Sequence, residues 1–389
     1  MNTQNTPVHI KLWHRDFWLM SVASLLLTMS MYILLPVMPH WLMEEKQFSA
    51  VEAGRSMGVF GLGLYVFGTL CSWLVQRYRR NVVCMWAIIA VIANIAVLWY
   101  VQAVRTDLLD FTMMMVHRFV LGATFGLAQM VLSSTLIIDT CESFQRTEAN
   151  HSASWFARFA LSLGPLAGLI VYALYGFDGV LWGAIGCALV ALLLVKIVKF
   201  PFRTPEEGVK VVSLDRFFLI HGFVLFVNLL MVSTVIGMLL SLTFEPLFYA
   251  LMMGGFLLAL LAQRFVFRDA ELKSEIITGL FLLVAALLVL LVAPASPVSP
   301  VLIGLSAGII GSRFLLFFIK LSRHCQRGTS QSTYFLGWET GLALGLFLGY
   351  AFFYQQSQQL LYTALAITGT ALLLYHFFTH RWFLEHKNR

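Results

Sequence analysis

Long apolar runs recur along the chain, separated by short polar stretches, and this alternation is the first feature to interpret. A hydrocarbon core about 30 Å thick, crossed by a helix rising about 1.5 Å per residue, takes up about 20 residues per crossing. Runs of that length predict twelve membrane-spanning helices, at 16–42, 54–75, 82–102, 110–138, 152–175, 179–199, 214–240, 244–264, 273–294, 299–320, 330–354 and 359–380. The first run follows a short polar leader, has no small-residue cleavage site at its end and exceeds the length of a signal-peptide core, so it reads as a retained span.

Composition agrees with lipid as the solvent: of 389 residues 59% are hydrophobic and 12% charged, with a mean hydropathy of +0.82. Those values exclude a water-soluble domain with a polar surface. The five cysteines, Cys71, Cys84, Cys141, Cys187 and Cys325, stand singly, with neither CxxC nor metal-ligand spacing, and predict no disulfide framework, metal site or cofactor. The net charge of +7 admits a nucleic-acid partner until the positions of the 26 basic residues are considered. Twenty of them fall on one side of the predicted membrane, three (Lys46, Arg55, Arg105) on the other, and Arg118, Arg158 and Arg313 inside spans. This asymmetry excludes nucleic acid and, by the positive-inside rule, places both termini in the cytoplasm and the protein in the cytoplasmic (inner) membrane. The stretch from Phe200 to Asp215, with Pro201, Pro205, Glu206 and Glu207, is the longest polar interval. It divides the chain into a six-helix bundle at 1–199, a cytoplasmic linker at 200–215 and a second six-helix bundle at 216–389.

The halves also resemble one another. Gly68 through Gln76-Arg77 at the end of the second span matches Gly255 through Gln263-Arg264 at the end of the eighth, an offset of 187 residues. At an offset of 181, Arg146, Gly164 and Gly168 fall on Arg327, Gly345 and Gly349. Two similar offsets predict a duplicated carrier with a binding site near the midplane between repeats.

At these residues the chain resembles the major facilitator superfamily over its whole length. The loop after the second span is similar to the family's G-x-L-x-x-x-L-x-D-R-x-G-R-R motif through Gly68, Leu70, Leu74, Arg77 and Arg80, with Gln76 in place of its Asp and Arg79 in place of its Gly. The fourth span matches an R-x-x-x-G motif through Arg118 and Gly122, and Asp139 with Arg146 match the D...R pair that follows. The fifth span carries Gly164-Pro165-Leu166-Ala167-Gly168, similar to the G-P-x-x-G element of exporting antiporters, although Trp155 replaces its preceding glycine. Pro36 and Pro39 resemble the end of the family's first helix. The resemblance implies an all-α membrane protein, twelve transmembrane helices in two pseudo-symmetric six-helix bundles, with the loop residues acting as a conformational gate.

Charges inside a span insert at a penalty of roughly 2.5 to 3.5 kcal/mol and usually face a partner or a wet cavity. Arg118 lies well inside the fourth span, where it binds an anionic group, tunes a proton-carrying carboxylate, or is satisfied by backbone carbonyls of the neighbouring helix. Arg158 and Glu339 fall on equivalent positions at the 181-residue offset and put opposite charges in opposite halves. Glu339 is the one carboxylate placed deep in the bilayer, suited to carrying a proton; the bland alternative is a structural ion pair with Arg158 or Arg313. Arg313 itself either binds or snorkels to the interface. Tyr32 and Asn228 sit at comparable depths of spans one and seven, as cavity lining or as packing hydrogen bonds. His117, His151 and His221 read as interfacial, and His376 with His380 as an interfacial pair rather than metal ligands.

Three classes compete. An integral-membrane enzyme requires a clustered catalytic set, which the sequence lacks; a scaffold or receptor leaves the intramembrane charges without a purpose. A secondary transporter accounts for both duplication and buried charge. With no phosphate-binding glycine loop, the expected activity is proton-coupled efflux of a small organic solute by alternating access, with an importer or facilitator as the alternative, working as a monomer with protons and lipid as its other partners.

Overall fold

The computed structural model describes residues 11–200, 208–242, 245–267, 271–323 and 326–388. Residues 201–207 of the expected linker, the basic residues Arg203, Arg268 and Arg389, and Cys325 lie outside the described residues.

Among the described residues twelve crossings follow in order. They are α1 (Arg15–Glu44), α2 (Ala50–Gly63 continued by Gly68–Arg77), α3 (Arg80–Val104), α4 (Phe111–Asp139), α5 and α6 (residues 146–175 and 177–197 of Arg146–Ile197), α7 (Ile220–Leu240), α8 (Pro246–Phe265), α9 (Leu272–Val292), α10 (Val298–Leu321), α11 (Arg327–Phe353) and α12 (Ser357–His386). Each predicted span corresponds to one of them, with ends moved by several residues. Helices are the form expected where no water is available to backbone N–H and C=O groups. An even number of crossings puts both chain ends on one face, where His14 bonds the Thr140 carbonyl and Asn388 the Leu321 carbonyl.

Interruptions have identifiable causes. Pro36 has no N–H for the Tyr32 carbonyl, and α1 breaks at that point: Leu34 and Leu35 reach back only three residues, to Met31 and Tyr32, at 3.2 and 3.1 Å. In α2 the two pieces meet at 44° between Gly63 and Gly68. α5 and α6 join without a loop at Gly176, whose φ of 65° and ψ of −165° suit glycine. α4 contains a π-helical turn at Leu132–Leu136, a widening often found at functional sites.

Small residues set the helix seams, as expected where packing rather than hydrophobicity joins helices in lipid. The α-carbons of Gly63 and Gly122 bring α2 and α4 together; Gly255 and Gly304 do the same for α8 and α10. Gly164 and Gly168 pack on Tyr32 and Ile33 of α1, while Gly345 packs on Thr234 and Met238 of α7 and Gly349 on Ser241 just past its end. The 181-residue offset therefore relates residues with equivalent neighbours. The 187-residue offset does not: Gly68 faces Phe217, whereas Gly255 occupies the place of Gly63. The turn at 64–67 interrupts α2, and continuous α8 has no counterpart to it.

Contacts between the two bundles close the structure at both ends. Toward the face opposite the termini, Gly54, Gly58 and Gly61 of α2 pack along Ala351, Phe347 and Ala343 of α11, continued by a 2.9 Å hydrogen bond between Tyr65 and Thr340. On the terminal face Gly328 abuts the Ser134 carbonyl, Arg216 donates to Thr135 at 3.2 Å, and the Ser213 amide to the Thr69 carbonyl at 2.9 Å.

Candidate functional site

The break in α1 follows Tyr32, close to the middle of the Arg15–Glu44 crossing, with Gly164 of α5 close behind its backbone. From the other bundle, α11 carries Glu339 near its middle. The Tyr32 hydroxyl donates to the Glu339 carboxylate at 2.5 Å, and the two side chains are 3% and 5% exposed. A hydroxyl aimed at a buried carboxyl group makes a strong bond in low dielectric. Here it joins the two halves of the molecule.

Small cavities flank this bond. One, about 40 Å³, includes Arg158, Ser154, Gln129, Gln331, Tyr334 and Trp338 in its walls; the other, about 20 Å³, is lined by Phe60, Arg118 and Leu346 among others. Both share Tyr32 and Glu339. They have room for water and not for an organic solute, whose pockets run about 300–1,000 Å³. A larger cavity of about 580 Å³ between α3 and α4, beside Asp107, Asp110 and His117, shares no residue with them.

The structure separates the sequence candidates. Arg158 lies within the same cavity as Glu339 but forms no ion pair with it: its Nη2 donates to Ser154 at 2.7 Å, its Nε to the Tyr334 hydroxyl at 3.4 Å, and its guanidinium lies 4.7 Å from the Trp155 ring. Arg118 stands 4.8 Å over Phe60, with no backbone carbonyl bonded to it among the described residues. Arg313 neither snorkels nor lines the centre; it donates to Glu275 of α9 in an ion pair whose side chains are 14% and 1% exposed. The structural pair expected for Glu339 is thus formed by Glu275, a second buried carboxylate that the sequence reading does not single out. Asn228 makes a packing bond, donating to the Ala371 carbonyl of α12 at 3.1 Å, and borders neither central cavity. His117 is buried rather than interfacial, its Nε2 3.2 Å from the Asn94 carbonyl.

Gln129, Ser133 and Gln331 went unnoticed in the sequence. A signal was present: Gln129 and Ser133 stand at i, i+4 on one face of an otherwise apolar helix.

At the terminal face the loop motif forms a network. Arg80 pairs with Asp139 at 2.5 Å, so Asp139 serves α3 rather than Arg146. Gln76, in place of the motif's Asp, donates to Ser72 at 3.2 Å, and Ser72 donates to Asp215 at 3.3 Å. Asp215 also accepts from Thr329 of α11 at 3.0 Å. The carboxylate missing from α2 is supplied by the segment entering α7. Burial, with the nearby Arg80 guanidinium, lowers the Arg216 pKa. Arg77 is exposed.

Twelve crossings among the described residues, in two bundles, are the architecture of a solute carrier. The chain belongs to the Major Facilitator Superfamily, whose family model matches residues 20–346. Among solved structures it is similar to a bacterial homolog of the human lysosomal transporter Spinster in an inward-facing, occupied conformation, with TM-score 0.70, 13% identity and 96% and 98% of the two chains covered. It is similar also to a bacterial homologue of the iron transporter ferroportin in its outward-facing state, with TM-score 0.67, 15% identity, and 95% and 99% covered. A third is the fucose:proton symporter of E. coli, with TM-score 0.65, 12% identity, and 94% and 98% covered. No curated protein sequence matches the chain.

Proposed function

We propose that the protein is a proton-coupled secondary transporter that moves a small organic solute across the cytoplasmic membrane by alternating access. The observation that carries this reading is the Tyr32–Glu339 hydrogen bond, which places a protonatable carboxylate at mid-depth on the seam between the halves. Opening toward either face has to part helices that this bond ties together, so gain or loss of a proton at Glu339 biases which contacts hold. The bundles at 1–199 and 216–389 are the rocking units, and the Arg80–Asp139 and Asp215 networks act as a latch on the terminal face. The twenty-to-three asymmetry of basic residues in the sequence supports cytoplasmic termini. Proton coupling occurs on this fold, as in the fucose:proton symporter. The Gly164-Pro165 element packed behind Tyr32 supports efflux over import. A single copy contains the whole site, which supports a monomer.

The test is solute movement in proteoliposomes under an imposed pH gradient, comparing the intact protein with Glu339→Gln. Gradient-driven movement that the substitution uncouples supports the reading, and its direction separates efflux from import. Equilibration that ignores both the gradient and the substitution makes the protein a facilitator.

A further inference from the structure

The walls of the two central cavities hold more positive than negative charge. We propose that this site takes an organic anion, a carboxylate, sulfonate or phosphate ester on an apolar or aromatic body, with Arg158 as the first anchor and Arg118 as the second. The inference rests on the transport reading above and specifies its substrate.

Arg158 is 3% exposed, and its Nη1 is buried without an acceptor while Nε and Nη2 are held by Tyr334 and Ser154. Arg118 is also 3% exposed, with a buried Nε that has no acceptor. Among the described residues no carboxylate lies within 4.0 Å of either guanidinium, whereas Arg80 and Arg313 each hold one. Buried charge is ordinarily compensated by a partner. Two uncompensated guanidiniums in adjoining cavities, with N–H groups still to donate, are the arrangement an anion completes. Glu339 alone does not balance them: with its carboxylate ionised the central walls carry one net positive charge, which a monoanion cancels.

The apolar part of the ligand is defined by the rings. Trp155 underlies Arg158, Tyr334 and Trp338 stack at 6.2 Å, and Phe125 meets Phe335 at 5.8 Å. Because both cavities share the Tyr32–Glu339 pair, parting that hydrogen bond joins them into one chamber with an arginine at each end.

The experiment is equilibrium binding by calorimetry, with thermal melting, on the detergent-purified full chain. The probes are size-matched sets: 1-naphthoate, 1-naphthamide and 1-naphthylmethylammonium, with the corresponding naphthyl sulfonate and phosphate and with octanoate beside octanamide. At least one anion is expected to bind about tenfold or more tightly than its neutral partner. Arg158→Gln should abolish that preference, and Arg158→Lys should retain it at reduced affinity; melting without probe shows whether each variant is folded. Amides or ammonium compounds binding as tightly as the anions, no anion binding at all, or an intact preference in folded Arg158→Gln would each overturn the proposal. Proteoliposome flux of the same compounds separates the two readings: an anion that binds but never crosses sinks the transport reading alone, whereas flux of neutral or cationic members without anion binding sinks only the anion assignment.

Discussion

Glu339 and Glu275 are both buried carboxylates, and their partners give them different tasks. Glu275 is held by the Arg313 guanidinium, and breaking a buried ion pair by removing one partner typically destabilises by about 3–5 kcal/mol. Glu275→Ala should therefore lower the melting temperature in detergent sharply, and an unchanged melt would show that the pair is not structural. Glu339 has a neutral phenol for a partner, and Tyr32→Phe leaves its carboxyl group buried without a donor, so the substitution should lower the melt, though less than Glu275→Ala, while weakening pH-driven flux about tenfold, the worth of one such hydrogen bond. Equal flux in Tyr32→Phe would remove the hydroxyl from the coupling step. The sequence identified Glu339, Arg158, Arg118 and Tyr32 as candidates because charge or hydroxyl in an apolar run is conspicuous. It did not identify their pairing. Each residue turns a helix by about 100°, so which side chains meet depends on helix rotation, and the break Pro36 makes in α1 resets that rotation at Tyr32. Glu275 was overlooked for a related reason: it lies one turn inside α9 beside Lys273, where a sequence reads as interface although the packed bundle buries it.

Among the helices, stability depends on the glycine seams. A Cβ at Gly63 would strike the Phe119 carbonyl oxygen, and one at Gly122 the Phe60 carbonyl oxygen, both rigid backbone atoms. Gly63→Val or Gly122→Val should cost about 1–3 kcal/mol or more through forced separation of α2 and α4. Gly254 in α8 has nothing within 4 Å of such a carbon. Gly254→Ala should be neutral or stabilising by about 0.5–1 kcal/mol, since alanine loses less entropy in a helix. Melting of the three variants side by side decides the point, and a melt lowered equally by all three would refute the seam argument. The spans themselves were legible because the hydrophobic thickness of a bilayer dictates their length. Their interruptions were less so: the run at 16–42 reads straight through Pro36, and the sequence reading marks neither the bend at 64–67 nor the π-helical turn in α4.

For the whole molecule, the consequential contacts are those between bundles. An ideal Cβ on Gly54 would lie 3.2 Å from that of Ala351 and 2.8 Å from its backbone nitrogen, so a cystine here requires α2 and α11 to move apart by several tenths of an ångström. The double variant Gly54→Cys, Ala351→Cys should form a disulfide on mild oxidation and stop flux, with full recovery on reduction; unimpeded flux in the oxidised form would show that α2 and α11 need not separate on that face. The loopless corner at Gly176 has a further bearing on that face. With one residue between α5 and α6, this corner has no slack and no flap to fold over a departing solute. Under the alternating access proposed above, a tilt of α5 is passed to α6 through this single residue, so flux should change with bilayer thickness, measured in liposomes of short- and long-chain lipids.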